Sequence, residues 1–323
     1  MLPGGFRILE LIGVGGMGTI YRAEQVTLMR TVAVKVLHAH LLSDATIPAR
    51  FMSEARLASQ LNHPNSIAVI DFGRMPTGQL YLVMEHLHGR DLARVVAEDG
   101  LLPIGRIINI LRQLLDVLAE AHRLGILHRD LKPENIVIET ARSGEDLVKV
   151  VDFGLAKLLS MPGAGITAAG TVCGTPDYMS PEQCCAKPVD ARTDLYAVGV
   201  NLFVLLTGRL PFVADTPTQM MLKHMIEPAP DPRAIAPRRQ IPDGLAEITL
   251  RLLDKQPERR FQSADELSAA LGVIGDELGI APPRISVPPA AALVRCPACG
   301  AWVAPAKFCG ECAAPLGRSP SRP

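Results

Sequence analysis

The run Gly13-Val14-Gly15-Gly16-Met17-Gly18 narrows the possible folds most, because of what stands on either side of it. Phe6–Ile12 and Thr19–Glu24 both predict strands, so the glycines join strand to strand. A dinucleotide-binding turn of the same spelling opens a helix. Here Thr19–Glu24 and then Thr31–Leu37 read as strands, which counts against that fold. Without Cβ atoms, glycines let the backbone approach phosphate oxygens and turn N–H groups toward them. On this run alone, a phosphate-cradling hairpin and a plain glycine-rich hairpin both stay open.

The elements beyond it divide the chain. Ala49–Leu61 predicts a helix, with Phe51, Ala55 and Ala58 spaced by four and three. Ile67–Asp71 and Leu80–Met84 predict two more strands around a turn at 76–78. From about Leu92 the pattern becomes helical. Pro103–Arg123 carries apolar residues at 107, 111, 114 and 118, with 108 and 115 beside them, and Gly125 stands where such a helix would end. Leu195–Gly208 is the longest apolar stretch at 14 residues and contains Asn201; a bilayer span needs about 20, so a buried core helix is expected. Ser263 and Glu266 spell a capping box ahead of Leu267 and Leu271, and the helical region is expected to close near Gly279. The expected class is α+β, with a small β-rich lobe at about 6–86 and a mainly helical lobe at about 87–275.

Composition limits the function. Of 323 residues, 48% are hydrophobic and 20% charged, which supports a folded core rather than global disorder. Lys plus Arg equals Asp plus Glu at 33 each, and a net charge of zero argues against a dedicated nucleic-acid binder. No apolar run follows a basic start, so no secretory signal is read and a soluble, cytoplasmic chain is expected.

Further motifs decide what the glycines leave open. Lys35 ends an AVK run on the strand after the hairpin. His128–Asn135 (HRDLKPEN) follows the long helix, and Asp152–Gly154 (DFG) begins 17 residues after Asn135. Gly174–Tyr178 (GTPDY) then precedes Ser180–Glu182 (SPE). In this order and at these spacings, residues 6–275 resemble the eukaryotic-like (Hanks-type) serine/threonine protein kinases. The stretches LNHPNSIAVIDFG and MSPEQ resemble the bacterial receptor-type branch. The implied fold is the two-lobed kinase fold, and the implied activity is transfer of the γ-phosphate of ATP to protein Ser and Thr hydroxyls.

Phosphoryl transfer asks a protein for position and charge neutralisation. The resemblance implies that Lys35 holds the α- and β-phosphates and that Glu54, 19 residues on, fixes it by an ion pair; for Glu54 a solvated helix carboxylate is the alternative. Asp130 would accept a hydrogen bond and then the proton from the substrate hydroxyl. Lys132 would approach the γ-phosphate, which fits Ser/Thr specificity. Asn135 and Asp152 are hard oxygen ligands suited to Mg²⁺ (or Mn²⁺). His128 is expected to pack under Phe153 rather than to do chemistry. Gly13, Val14, Gly15, Gly16, Met17 and Gly18 would cover the phosphates. Adenine is expected between Ile20 and Ala33 above and Val137 below, with Met84 at the back and backbone groups of Glu85 and Leu87 at its edge.

The 31 residues from Asp152 to Glu182 hold few bulky apolar groups, as suits a loop ordered by phosphorylation. Thr167 and Thr171 match positions phosphorylated in relatives, and Arg129 is the cation a phosphothreonine would meet. Autophosphorylation there, through a transient homodimer, is expected to raise activity. Thr175 is expected to be structural, Glu182 and Arg260 to form a buried ion pair, and Asp194 to hold the catalytic-loop backbone. Two departures stand out: Ser180 replaces the commoner alanine before Pro181, and Ala58 is small where relatives are larger, which would loosen the helix carrying Glu54. Glu134 suggests a basic residue before the target hydroxyl.

Residues 280–294 hold four prolines and no acidic group, a linker composition, and 318–323 is a polar tail. Between them, at 295–317, lie Cys296-x-x-Cys299 and Cys309-x-x-Cys312. Two such turns can complete a tetrahedron around Zn²⁺. Seventeen residues from first to last Cys leave no room for an apolar core, so metal would do the folding. A minimal structural zinc ribbon is the expectation, with Trp302 and Phe308 packed over the knuckles or serving as a docking surface for a protein partner. Two disulfides, a reactive thiol pair and a rubredoxin-like iron site are the alternatives. Cys173, Cys184 and Cys185 read as ordinary thiols.

Overall fold

The computed structural model describes residues 2–44, 46–141, 144–153, 176–282, 294–299 and 302–303. It divides into two units, residues 1–283 and 284–323.

Strands with apolar residues on both faces build the first lobe. In chain order these elements are β1 (Phe6–Val14), β2 (Gly18–Gln25), β3 (Arg30–Leu37), the helix α1 (Ile47–Ala58), β4 (Val69–Arg74) and β5 (Leu80–Glu85). The strands form an antiparallel sheet in the order β1-β2-β3-β5-β4. Along β3, Ala33 and Leu37 pack with Phe51 and Ala55 of α1 and with Leu82 and Met84. Val32 and Val34 pack on the opposite face with Phe6, Ala23 and Val83. Side chains alternate along a strand, so Lys35 leaves β3 on the α1 face, in phase with Ala33 and Leu37.

The expected strand at Ile67–Asp71 begins two residues later. Its first residues are spent elsewhere: Ile67 N–H donates to Val150 O at 2.9 Å, and Val150 N–H donates to Asn65 O at 2.7 Å. Buried Asn65 adds bonds from Nδ2 to Gln113 Oε1 and to Val148 O. This segment therefore ties the first lobe to the second.

The second lobe opens with β6 (Arg90–Asp91), α2 (Leu92–Asp99), α3 (Ile104–Arg123), β7 (Ile136–Thr140) and β8 (Asp146–Val150). It continues as α4 (Pro181–Cys184), α5 (Ala191–Thr207), α6 (Pro217–Ile226), α7 (Pro232–Ile235), α8 (Asp243–Leu252) and α9 (Ala264–Glu277). The apolar face of α3 is buried, and Gly125 ends the helix at φ +72°, as a left-handed cap requires. The stretch expected to be a core helix is α5. A Cβ on its Gly199 would stand 2.6 Å from Leu252 Cβ, so glycine is what lets α5 approach α8. The capping box at α9 is only half made. Ser263 Oγ accepts from Glu266 N–H at 3.0 Å, but Glu266 Oε2 takes Gln262 N–H at 2.6 Å instead of returning to Ser263. A complete box forms at α4 between Ser180 and Gln183. Among the described residues, no helix is long and apolar enough to cross a membrane.

His224 of α6 is fully buried against Tyr196 and Phe212, with Nδ1 2.8 Å from the Tyr196 hydroxyl. Burial, and then the charge of Lys255, push its pKa from 6.5 down to about 4, against the Asp177 carbonyl. The folded value lies below the unfolded one, so the unfolded chain binds the extra proton. Stability is full above pH 6.5 and falls toward pH 4. The expected loss is about 3 kcal/mol across that window. His224→Gln should flatten it in urea unfolding measured from pH 7 to pH 4; an unchanged slope would contradict this assignment.

In the second unit, β9 (Val294–Arg295) and β10 (Trp302–Val303) pair antiparallel, so Cys296 and Cys299 fall in the connection between them. Cys296 is buried and Cys299 exposed.

Candidate active site

Lys35, placed on the α1 side by strand alternation, is buried, and its Nζ meets Asp152 Oδ2 at 2.7 Å. The expected Lys35–Glu54 pair does not form between these described residues; the carboxylate the lysine meets is Asp152. Glu54 is itself buried on α1. Asp152 holds a left-handed φ of +63°, a region that few non-glycine residues enter and that aspartate enters more readily than most. Burial alone would raise the Asp152 carboxyl, but the charge and hydrogen bond of Lys35, with His128 and Lys132 nearby, hold it below the usual carboxylate range.

The loop after α3 gathers the remaining groups. Lys132 Nζ stands 3.2 Å from Asp130 Oδ2, and Asn135 Nδ2 donates to Asp130 O at 2.7 Å. Each of Asn135 and Asp152 thus keeps one side-chain oxygen, Oδ1, outside these bonds. The loop's own backbone is held from below. Asp194 of α5 accepts from His128 N–H at 2.9 Å and Arg129 N–H at 2.8 Å, and His122 Nε2 lies 2.8 Å from Asp194 Oδ2. Burial would raise the Asp194 carboxyl; the His122 bond, both histidine charges and the Arg129 N–H outweigh it and keep the carboxyl low. Asn201 Nδ2 reaches Leu131 O at 3.2 Å. His128 is buried, edge-on to Phe153 with ring centroids 5.0 Å apart.

Above this loop, the glycine hairpin closes with Gly15 N–H donating to Gly18 O at 2.9 Å. The four glycines differ in what they need. A Cβ on Gly18 would lie 2.3 Å from Val36 O, whereas one on Gly13 or Gly16 would meet nothing within 4 Å. Gly18 is thus demanded by the approach of β2 to β3, and Gly13 and Gly16 leave open space. Ile20, Ala33, Met84 and Leu87 belong to one apolar cluster, and Val137 is half-buried on β7. Glu85 spends its N–H on Ala68 O at 3.0 Å, so the group it would offer a base edge is the carbonyl. Its side chain accepts from Ala68 N–H and from Lys149 Nζ, each at 2.8 Å, which braces the segment between the lobes.

Residues 6–270 match the protein kinase domain family. The chain belongs to that family. This kinase is 46% identical over 274 residues to serine/threonine-protein kinase pkn3 of Myxococcus xanthus, an alignment covering 84% of this chain and 50% of that protein. It is 40% identical over 270 residues to PknB of Mycolicibacterium smegmatis, covering 82% and 42%. The solved kinase domain of Mycobacterium tuberculosis PknI superposes with a TM-score of 0.66 at 25% identity, over 84% of this chain and 96% of that one. The kinase spans about half, or less, of the length of these curated relatives.

The expected buried pair of this kinase is present. Arg260 Nη1 and Nη2 each donate to Glu182 at 2.8 Å, and Thr193 Oγ1 donates to Glu182 Oε1 at 2.8 Å. Thr167, Thr171, Cys173, Thr175, Phe308, Cys309 and Cys312 lie outside the described residues. Two participants were not singled out from sequence. Gln183 Nε2 donates to Arg129 O at 2.7 Å, so the α4 cap also grips the catalytic loop. The spelling Ser180-x-x-Gln183 would have revealed the cap. His122, the partner of Asp194, carries no such signal, since its role depends on the crossing of α3 and α5.

Proposed function

We propose that this kinase domain transfers the γ-phosphate of ATP to Ser and Thr hydroxyls of proteins. The observation that carries the reading is the convergence of Asp130, Lys132 and Asn135 in one hydrogen-bonded loop, beside the Lys35–Asp152 pair. A scaffold of the same fold that had lost the chemistry would lack one of Lys35, Asp130, Asn135 or Asp152. Asp130 would take the proton of the attacking hydroxyl, and Lys132 would hold position beside it and the incoming phosphate. Lys35 would exchange its bond to Asp152 for phosphate oxygens, and pairing with Glu54 would then fix it. Asn135 Oδ1 and Asp152 suit a hard cation, Mg²⁺ or Mn²⁺, which neutralises phosphate charge when bound. The glycine hairpin, from Gly13 to Gly18 with Val14 and Met17, would cover the phosphates. Ile20, Ala33, Met84, Leu87 and Val137 would enclose the base. Phosphorylation of a mixed peptide library should yield phosphoserine and phosphothreonine; phosphotyrosine as the main product would overturn the specificity.

Regulation through the 154–175 segment belongs to the same proposal. Phosphorylation at Thr167 or Thr171, in trans within a transient homodimer, would set an anion against Arg129. Glu182–Arg260 would anchor the segment's far end, and Thr175 would brace Asp130 and Lys132. A Thr167→Ala/Thr171→Ala variant with full activity would contradict this.

We also propose structural Zn²⁺ at Cys296, Cys299, Cys309 and Cys312. Two observations support it: the β9–β10 pairing places the first CxxC in a hairpin connection, and Cys296 is buried. The module would offer a docking surface to a protein partner. Elemental analysis of the purified chain should find one zinc per molecule, lost in a Cys309→Ser/Cys312→Ser variant. Metal-free protein, or equal zinc in the variant, would contradict the site.

A further inference from the structure

His38, the residue just beyond β3, makes a side-chain contact with the glycine hairpin. Its Nε2 lies 2.9 Å from Gly15 O, and its backbone N–H donates to Met17 O at 3.0 Å. A carbonyl only accepts, so Nε2 carries the hydrogen of this bond. The ring also stacks on His40, with centroids 5.5 Å apart and planes 22° from parallel, which restrains its orientation.

The side from which His38 approaches gives the contact its consequence. Lys35 leaves β3 on the same face as Ala33 and Leu37, whereas Val34 and Val36 belong to the opposite cluster. Carrying that alternation one residue past Leu37 puts His38 on the face opposite Lys35. Its bond therefore draws the Gly15 carbonyl away from the Lys35 side. In a planar trans peptide the C=O and the following N–H point in opposite directions. The N–H of Gly16 would then face the Lys35 side.

We propose that His38 is a positioning residue for nucleotide phosphates: by holding the Gly15 carbonyl outward, it aims the Gly16 N–H at the phosphate chain. This rests on the reading of the hairpin as an ATP phosphate cradle. In this role His38 would act through the hairpin backbone rather than by direct contact with the nucleotide. Glycines at 15 and 16 leave this peptide free to rotate, so an outside tether is what selects one orientation. Nucleotides that carry phosphates should feel the tether; a nucleoside should not.

The experiment compares wild type, His38→Ala and His38→Gln by calorimetric binding of ADP and adenosine, together with KM for ATP and kcat. Loss of one hydrogen bond is expected to weaken ADP binding about three- to tenfold in His38→Ala and to raise KM by the same factor. Adenosine affinity and kcat should stay within twofold. His38→Gln, whose amide N–H reaches about as far, should restore most of the ADP affinity. ADP affinity within twofold of wild type in His38→Ala would overturn the inference, and so would an equal loss of adenosine affinity. A wild-type chain that binds ADP and transfers no phosphate would contradict the proposed activity instead, and the binding comparison would still decide the role of His38.

Discussion

Arg260→Ala is expected to lower the free energy of unfolding by about 3–5 kcal/mol, the usual cost of stripping one partner from a buried ion pair. Arg260 is fully buried and Glu182 nearly so, and the two share a two-pronged contact. Burial alone would raise the Glu182 carboxyl; the bond and charge of Arg260, with the Thr193 hydroxyl, hold it low. Without Arg260 that carboxylate is left desolvated, and the carbonyls of Asp254 and Arg192 lose their donor as well. Arg260→Lys keeps a charge but not the fork, and should recover only part of the loss. The double variant Glu182→Gln/Arg260→Ala should be more stable than Arg260→Ala alone, because the stranded charge is gone. Denaturant unfolding measures all three. A loss below 1 kcal/mol in Arg260→Ala would mean that the pair does not anchor α4 to the lobe.

Asp130→Asn is expected to reduce phosphoryl transfer by about 10²–10⁴-fold, the range for removal of a positioned general base. The amide keeps the shape of the carboxylate. Asn135 Nδ2 bonds mainly to the Asp130 backbone carbonyl, so the loop should hold its form. KM for ATP should therefore change little while kcat collapses. Thermal stability within a few degrees of wild type would confirm that the loss is chemical. A variant retaining a tenth of wild-type activity would remove Asp130 from the proposed role.

What could be read from the sequence was local chemistry, and what could not was the meeting of distant groups. The glycine run, the HRDLKPEN loop and the DFG segment each carry their meaning within a few residues, and the strands flanking Gly13–Gly18 were legible from their pattern. The partner of Lys35 was not, because Asp152 stands more than a hundred residues away and only the assembled fold brings the two together. Glu182 and Arg260 were paired only through the family resemblance, and no spacing rule joins residues 182 and 260. The two helix caps show the limit on a small scale. Ser263 and Glu266 have the spelling, yet the Glu266 carboxylate found Gln262 N–H instead. Ser180 and Gln183 make the complete box on a helix of only four residues, too short to show an apolar period. His38 left no signal, since its contact exists only once the hairpin has folded back over β3.

The most direct test of the account is the intact mass of phosphatase-treated protein after incubation with ATP and Mg²⁺, beside the Asp130→Asn variant treated identically. Mass gains in whole phosphate steps, absent from the variant and mapping to Thr167 or Thr171, are the predicted result. An unchanged wild-type mass, with ATP shown to bind, would contradict the assignment of phosphoryl transfer to this chain.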